Sequence, residues 1–124
     1  MHKKITIVED DDAIAKMYVF KLEKAGFDVR RAKDGCEGLD LIEEHKPDLV
    51  LLDLDLPLMD GTDMLERLRA TPWGKDIKVL ILTNSTPVDL PDPIHAQPLS
   101  ADRYIVKAHR TPAQILETII ETLR

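Results

Sequence analysis

The chain has 124 residues, of which 44% are hydrophobic and 32% charged, enough for one domain core with a hydrated surface. No apolar run exceeds four residues, which excludes a membrane-spanning helix, since one needs about 20 apolar residues in a row. The net charge is −6, with 15 acids against 9 bases in residues 1–62 and 8 of each in 63–124, so no basic stripe favours a phosphate backbone. Neither a membrane nor a nucleic acid is an expected direct partner.

In chain order, Ile5 to Val8 is a β-branched run that reads as a buried strand. Ile14, Met17, Tyr18, Leu22 and Ala25 then recur at helical spacing, and Gly26 marks that helix's end. A second strand is expected over Phe27 to Ala32 and a second amphipathic helix over 36–45, with Leu39, Leu41 and Ile42 on its apolar face. Leu49 to Leu52 forms an apolar strand that stops at Asp53, and a loop through Gly61 leads to a third helix built on Met64, Leu65 and Leu68. Ile77 to Leu82 predicts a fourth strand and Tyr104 to Val106 a fifth. The last helix opens with Thr111 as N-cap, Pro112 at its first position and Gln114 closing a capping box, and Ile115, Leu116, Ile119, Ile120 and Leu123 form its buried face.

Strand alternates with helix, and several strands are apolar on both faces, which implies one α/β domain over 1–124 with a parallel sheet covered on both sides. One segment breaks the rhythm: prolines 87, 91, 93 and 98 fall where a helix should cross from the fourth strand to the fifth. A proline inside a helix costs about 3 kcal/mol, so an irregular loop is expected there. Cys36 is the chain's one cysteine and cannot form an internal disulfide; no signal peptide precedes the first strand, and a cytoplasmic location is expected. Cys36 reads as a small filler, the four histidines show no ligand spacing, and Trp73 is expected to cover the end of the third helix.

Ligands of an open parallel sheet bind outside the carboxyl ends of its strands. Here those ends carry Glu9-Asp10-Asp11-Asp12, Asp53, Thr83-Asn84 and Lys107. Two carboxylates about 5 Å apart at an effective dielectric near 20 repel by roughly 3 kcal/mol, and a hard divalent cation such as Mg²⁺ offsets that. Beside the metal, Asp53 can act as a nucleophile toward phosphorus and form an acyl phosphate. Lys107 and the Thr83 hydroxyl would meet the charge on the phosphoryl oxygens.

Glu9-Asp10-Asp11, Leu51-Leu52-Asp53, Pro57 to Gly61, Leu82-Thr83 and Ala101 to Lys107, in that order, resemble the receiver domain of two-component response regulators over essentially the whole chain. The resemblance implies a flavodoxin-like five-stranded sheet in the order 2-1-3-4-5, with the usual fourth helix shortened or replaced by the proline-rich stretch 86–98. It implies Asp53 as phosphoacceptor, fed by a histidine kinase or phosphotransfer protein, and an unidentified downstream protein as receiver of the signal. Mg²⁺ would be held by Asp10, Asp11, Asp53 and the backbone carbonyl of Asp55, with Asp11 the expected direct ligand of the acid pair. Thr83 and Tyr104 resemble the switch pair that converts a local charge event into a changed surface, and Lys107 would pair with the phosphoryl group.

The chain departs from the family at Asp55, Asn84 and Ala108 and in the proline-rich stretch 86–98. Asp55, Asn84 and Ser85 occupy positions expected to tune phosphorylation and dephosphorylation rates, and Asp55 is acidic where it can repel a donor. Ala108 stands where the family usually has proline, so the usual cis peptide bond after Lys107 is not expected. The last helix runs to the chain end, which reads as a stand-alone domain. Its expected role is signalling, with only self-catalysed phosphorylation and slow hydrolysis in place of enzymatic turnover.

Three other readings compete. Asp53-Leu54-Asp55, Thr83 and Lys107 also resemble motifs of haloacid-dehalogenase-type phosphatases, but those place a further acidic motif after the lysine, and here the acids come first. A pseudo-receiver would keep the fold as a protein-binding module without phosphorylation; intact Asp10, Asp11, Asp53, Thr83 and Lys107 argue against it. A flavodoxin-type flavin site needs a phosphate-binding loop after the first strand, where Glu9 to Asp12 would repel the phosphate.

Overall fold

The computed structural model describes residues 3–53, 56, 61–83, 103–106 and 111–123, excepting the side chains of 62, 83 and 103–106. The strands are β1 (Lys4–Val8), β2 (Asp28–Ala32), β3 (Leu49–Asp53), β4 (Lys78–Thr83) and β5 (Arg103–Val106). Between and after them lie α1 (Asp12–Lys24), α2 (Gly35–His45), α3 (Gly61–Arg69) and α4 (Pro112–Leu123). All strand pairings are parallel, as the strand–helix alternation implied, in the order β2-β1-β3-β4-β5 that the resemblance implied. The proline-rich stretch 86–98 lies outside the described residues.

Alternation along the strands sorts the core into two layers. Ile5, Ile7, Leu49, Leu51, Leu80 and Leu82 face α1 and α4, where they meet Tyr18, Leu22, Ile115 and Ile119. Val8, Val50, Leu52, Val79 and Ile81 face the other way, onto Ile42 of α2 and Met64, Leu65 and Leu68 of α3. Burying one such side chain fully contributes about 1.5–3 kcal/mol, and a one-residue slip would move each strand's set to the wrong layer. The register is therefore fixed by the core itself. On the α1 surface the sequence pattern overstates burial: of its positions Tyr18 and Leu22 are buried, whereas Met17 is 39% exposed and Ala25 is exposed.

The helix ends follow side-chain chemistry. Asp11 and Asp34 accept backbone N–H bonds from Ile14 and Glu37 at the starts of α1 and α2, each cap contributing about 1 kcal/mol. Gly26, at φ 98°, turns the chain from α1 into β2. The expected capping box of α4 is present: Thr111 N–H donates to Gln114 Oε1 at 2.8 Å, and Gln114 N–H to Thr111 Oγ1 at 3.2 Å. At the end of α3 Trp73 is 38% exposed, and Arg69 closes the turn by donating to the carbonyls of Gly74 and Ile77. Gly74 is required there, since a Cβ would sit 2.3 Å from the Leu68 carbonyl oxygen. Cys36 is exposed on α2 and fills no core space.

Candidate functional site

The strand register builds the site. Val8 pairs with Leu52, so the next residues, Glu9 and Asp53, emerge side by side at the carboxyl ends of β1 and β3. The Glu9 N–H still bonds the Ala32 carbonyl of β2 at 3.0 Å, which carries the ladder one residue past β1. Glu9 is 2% and Asp53 3% exposed, while Asp10 is exposed. One carboxylate oxygen from each of Glu9, Asp10 and Asp53 falls within 4.8 Å of the other two. Asp53 pairs in turn with Leu82, so Thr83 ends the neighbouring strand β4, and Tyr104 lies in β5 opposite Ile81.

Asp11 is a correction. Its carboxylate Oδ1 accepts the Ile14 N–H at 3.0 Å and caps α1, while its own N–H donates to Glu9 Oε2 at 3.3 Å. The group that meets Asp53 is therefore Glu9 and Asp10, one residue earlier than the pair expected from the resemblance. The physical reason is where β1 stops. Glu9 continues the ladder and stays at the strand end, and by Asp11 the chain has already turned into the helix. The signal was available in the sequence, because Asp is a favoured N-cap and helical spacing begins at Ile14.

Arg31 was not anticipated from sequence. From β2 its guanidinium reaches under the β1–α1 loop: Nε donates to the Glu9 carbonyl at 2.9 Å, and one terminal nitrogen donates to the Asp10 carbonyl at 3.2 Å. The other terminal nitrogen bonds Asp12 Oδ1 at 2.8 Å. The hydrogen bond and charge of Arg31 hold the Asp12 carboxyl below the usual carboxylate range. Asp55, Asn84, Ser85, Lys107 and Ala108 lie outside the described residues, as do the side chains of Thr83 and Tyr104.

Three close carboxylates are hard oxygen donors, suited to a small divalent cation that keeps several waters. Two of the three are buried beside one another, so a cation would offset charge that water reaches poorly. Among the described residues, no helix is long and apolar enough to cross a membrane.

A family model, response regulator receiver domain, matches residues 5–120. Over 104 residues the chain is 40% identical to the DNA-binding dual master transcriptional regulator RpaA of Synechocystis, covering 84% of this chain and 42% of that protein. It is 36% identical to the DNA-binding response regulator MtrA of Mycobacterium tuberculosis, over all of this chain and 52% of that one. The chain thus spans about half the length of these curated relatives. Among solved structures, the chemotaxis response regulator CheY4 of Vibrio cholerae superposes with a TM-score of 0.89 at 26% identity, covering 98% of this chain and 99% of that one. A receiver domain protein from Methanospirillum hungatei gives 0.87 at 33% identity, covering 99% and 94%.

Proposed function

The chain belongs to the response regulator receiver domain family, and from that premise we propose that Asp53 accepts a phosphoryl group and that Mg²⁺ is held by Asp10, Asp53 and Glu9. The observation that carries this reading is the convergence of those three carboxylates within 4.8 Å at adjacent strand ends. In the transfer, an Asp53 carboxylate oxygen forms a bond to phosphorus as the bond from phosphorus to the donor's imidazole nitrogen breaks, and the imidazole leaves with the electron pair. The cation's contribution, when bound, is to offset negative charge on the phosphoryl oxygens. Lys107 would pair with the same oxygens, and the Thr83 hydroxyl would turn to them as Tyr104 turns inward. Burial of Asp53 supports the reading, because a shielded acyl phosphate is slow to meet water.

The phosphodonor is a histidine kinase or a phosphotransfer protein, which needs a docking surface beside Asp53. α1 starts beside the acidic group, and its exposed side, running away from Asp53 toward Ala25, presents Met17 and Phe20 in a groove rimmed by Lys16, Lys21 and Lys24. Output passes to a partner protein through the changed surface, and the domain acts as a cytoplasmic signalling module without substrate turnover. DNA binding by the relatives is not assigned to these 124 residues, whose net charge is −6.

The test is the intact mass after incubation with Mg²⁺ and a small acyl-phosphate donor, with Asp53→Asn alongside. One added phosphoryl group on the wild type and none on Asp53→Asn is the expected result. Label retained by Asp53→Asn would overturn the assignment of the acceptor. If neither protein gains phosphate from the small donor or a panel of histidine kinases, the phosphoacceptor reading fails in favour of a pseudo-receiver.

A further inference from the structure

The acidic group depends on a loop whose own charges work against its conformation. Glu9 to Asp11 carry consecutive negative charges, and the facing Asp53 adds another. Left to repulsion, the loop would swing its carboxylates apart toward water. Opposing that swing are the Glu9 N–H bond to the Ala32 carbonyl, the Asp11 cap on α1 and one side chain from the neighbouring strand.

We propose that Arg31 is a positioning residue for the acidic site, a role that rests on the metal-dependent reading of Glu9, Asp10 and Asp53. Its guanidinium donates to three acceptors in the same short stretch: the Glu9 carbonyl at 2.9 Å, the Asp10 carbonyl at 3.2 Å and Asp12 Oδ1 at 2.8 Å. The first two are the backbone carbonyls of the very residues whose carboxylates meet Asp53. The third ties down the first residue of α1, so the loop is gripped at both ends of its turn. Arg31 is suited to this because its side chain is 82% removed from solvent by the fold, being 18% exposed, and its planar fork presents fixed donors that a lysine cannot reproduce. β2 alternation aims it there: Val29 and Arg31 share the sheet face toward α1, while Ala32 faces α2. Arg31 itself offers no oxygen to a cation and touches no reacting atom, so its effect reaches the site only through the loop.

Charge and positioning predict opposite signs, which makes the proposal decidable. Removing a nearby positive charge should tighten Mg²⁺ binding if Arg31 acts only through its field. Removing the clamp should weaken it, because the carboxylates must then be gathered at binding; loss of an outer partner of a metal ligand typically costs about tenfold or more in affinity.

The experiment is Mg²⁺ titration by calorimetry on the wild type, Arg31→Gln and Arg31→Lys, well below each melting temperature. Both variants are expected to bind Mg²⁺ about tenfold more weakly, Arg31→Lys despite its retained charge. Unchanged or tighter binding in either folded variant overturns the proposal, even with a lowered melting temperature, since a purely structural role would move stability alone. Should Arg31→Gln fail to fold, Arg31→Lys decides by itself. Wild-type protein that binds no Mg²⁺ overturns the metal reading and this inference together, whereas wild-type binding with unaffected variants overturns only the role of Arg31.

Discussion

Thr6 Oγ1 and His45 Nδ1 lie 3.0 Å apart in the core at the face where α2 crosses β1, with Thr6 fully buried and His45 5% exposed. The other ring nitrogen of His45 makes no hydrogen bond among the described residues and sits 3.5 Å from an Asp28 carboxylate oxygen. This contact fastens the end of α2 to the sheet, and Lys4 Nζ adds a 3.4 Å bond to the His45 carbonyl.

Thr6→Val keeps the side chain's shape and leaves His45 Nδ1 without its partner, which costs about 1–3 kcal/mol for a buried polar group. The double variant Thr6→Val/His45→Leu removes both partners and should recover part of that loss. Urea denaturation of the two single variants and the double checks this. Strictly additive losses would show that the hydroxyl and the ring do not interact.

Much of the fold was legible because both strand and helix signals are strong where the core demands them. Leu49 to Leu52 and Val79 to Leu82 are apolar on both faces and became the central strand β3 and its neighbour β4. Thr111 and Gln114 announced the start of α4 by chemistry that is local in sequence. His45 was not legible, because its partner Thr6 is 39 residues away and pairing at that range has no periodic signature. Arg31 was hidden for the same reason: an arginine on an edge strand looks solvated until the loop from β1 is folded over it. The shift from Asp11 to Glu9 shows how a family pattern can land one residue off. Within the four consecutive acids the usable clue is that helical spacing begins at Ile14, which makes Asp11 the N-cap and leaves Glu9 to close the strand.

The Arg31–Asp12 pair predicts a pH dependence of stability. Arg31 lowers the folded-state pKa of Asp12, so the unfolded chain takes up the proton first as pH falls. The stabilisation is thus present above the unfolded value of about 3.9 and is lost as pH drops through the lower folded value. Asp12→Asn removes the effect. Its urea midpoint should trail the wild type's at pH 7, and the gap should close in acid. Because Asp12 is exposed, high salt should also narrow the gap at neutral pH. Stability curves that stay parallel down to strong acid would remove Asp12 from the balance.

Asp10 and Asp11 should separate cleanly in a melting experiment, since one faces Asp53 and the other caps α1. At ten times its dissociation constant Mg²⁺ stabilises the wild type by about 1.4 kcal/mol, a rise of roughly 3–6 °C for a domain of this size. Asp11→Ala should lower the metal-free melting temperature through loss of the N-cap, about 1 kcal/mol, and keep the Mg²⁺ increment. Asp10→Ala should do the reverse: the increment disappears, and metal-free stability rises because one of three crowded carboxylates is gone. A calorimetric scan of each protein with and without Mg²⁺ reads both quantities. Loss of the increment in Asp11→Ala would return that residue to the site, and its survival in Asp10→Ala would remove Asp10 from it.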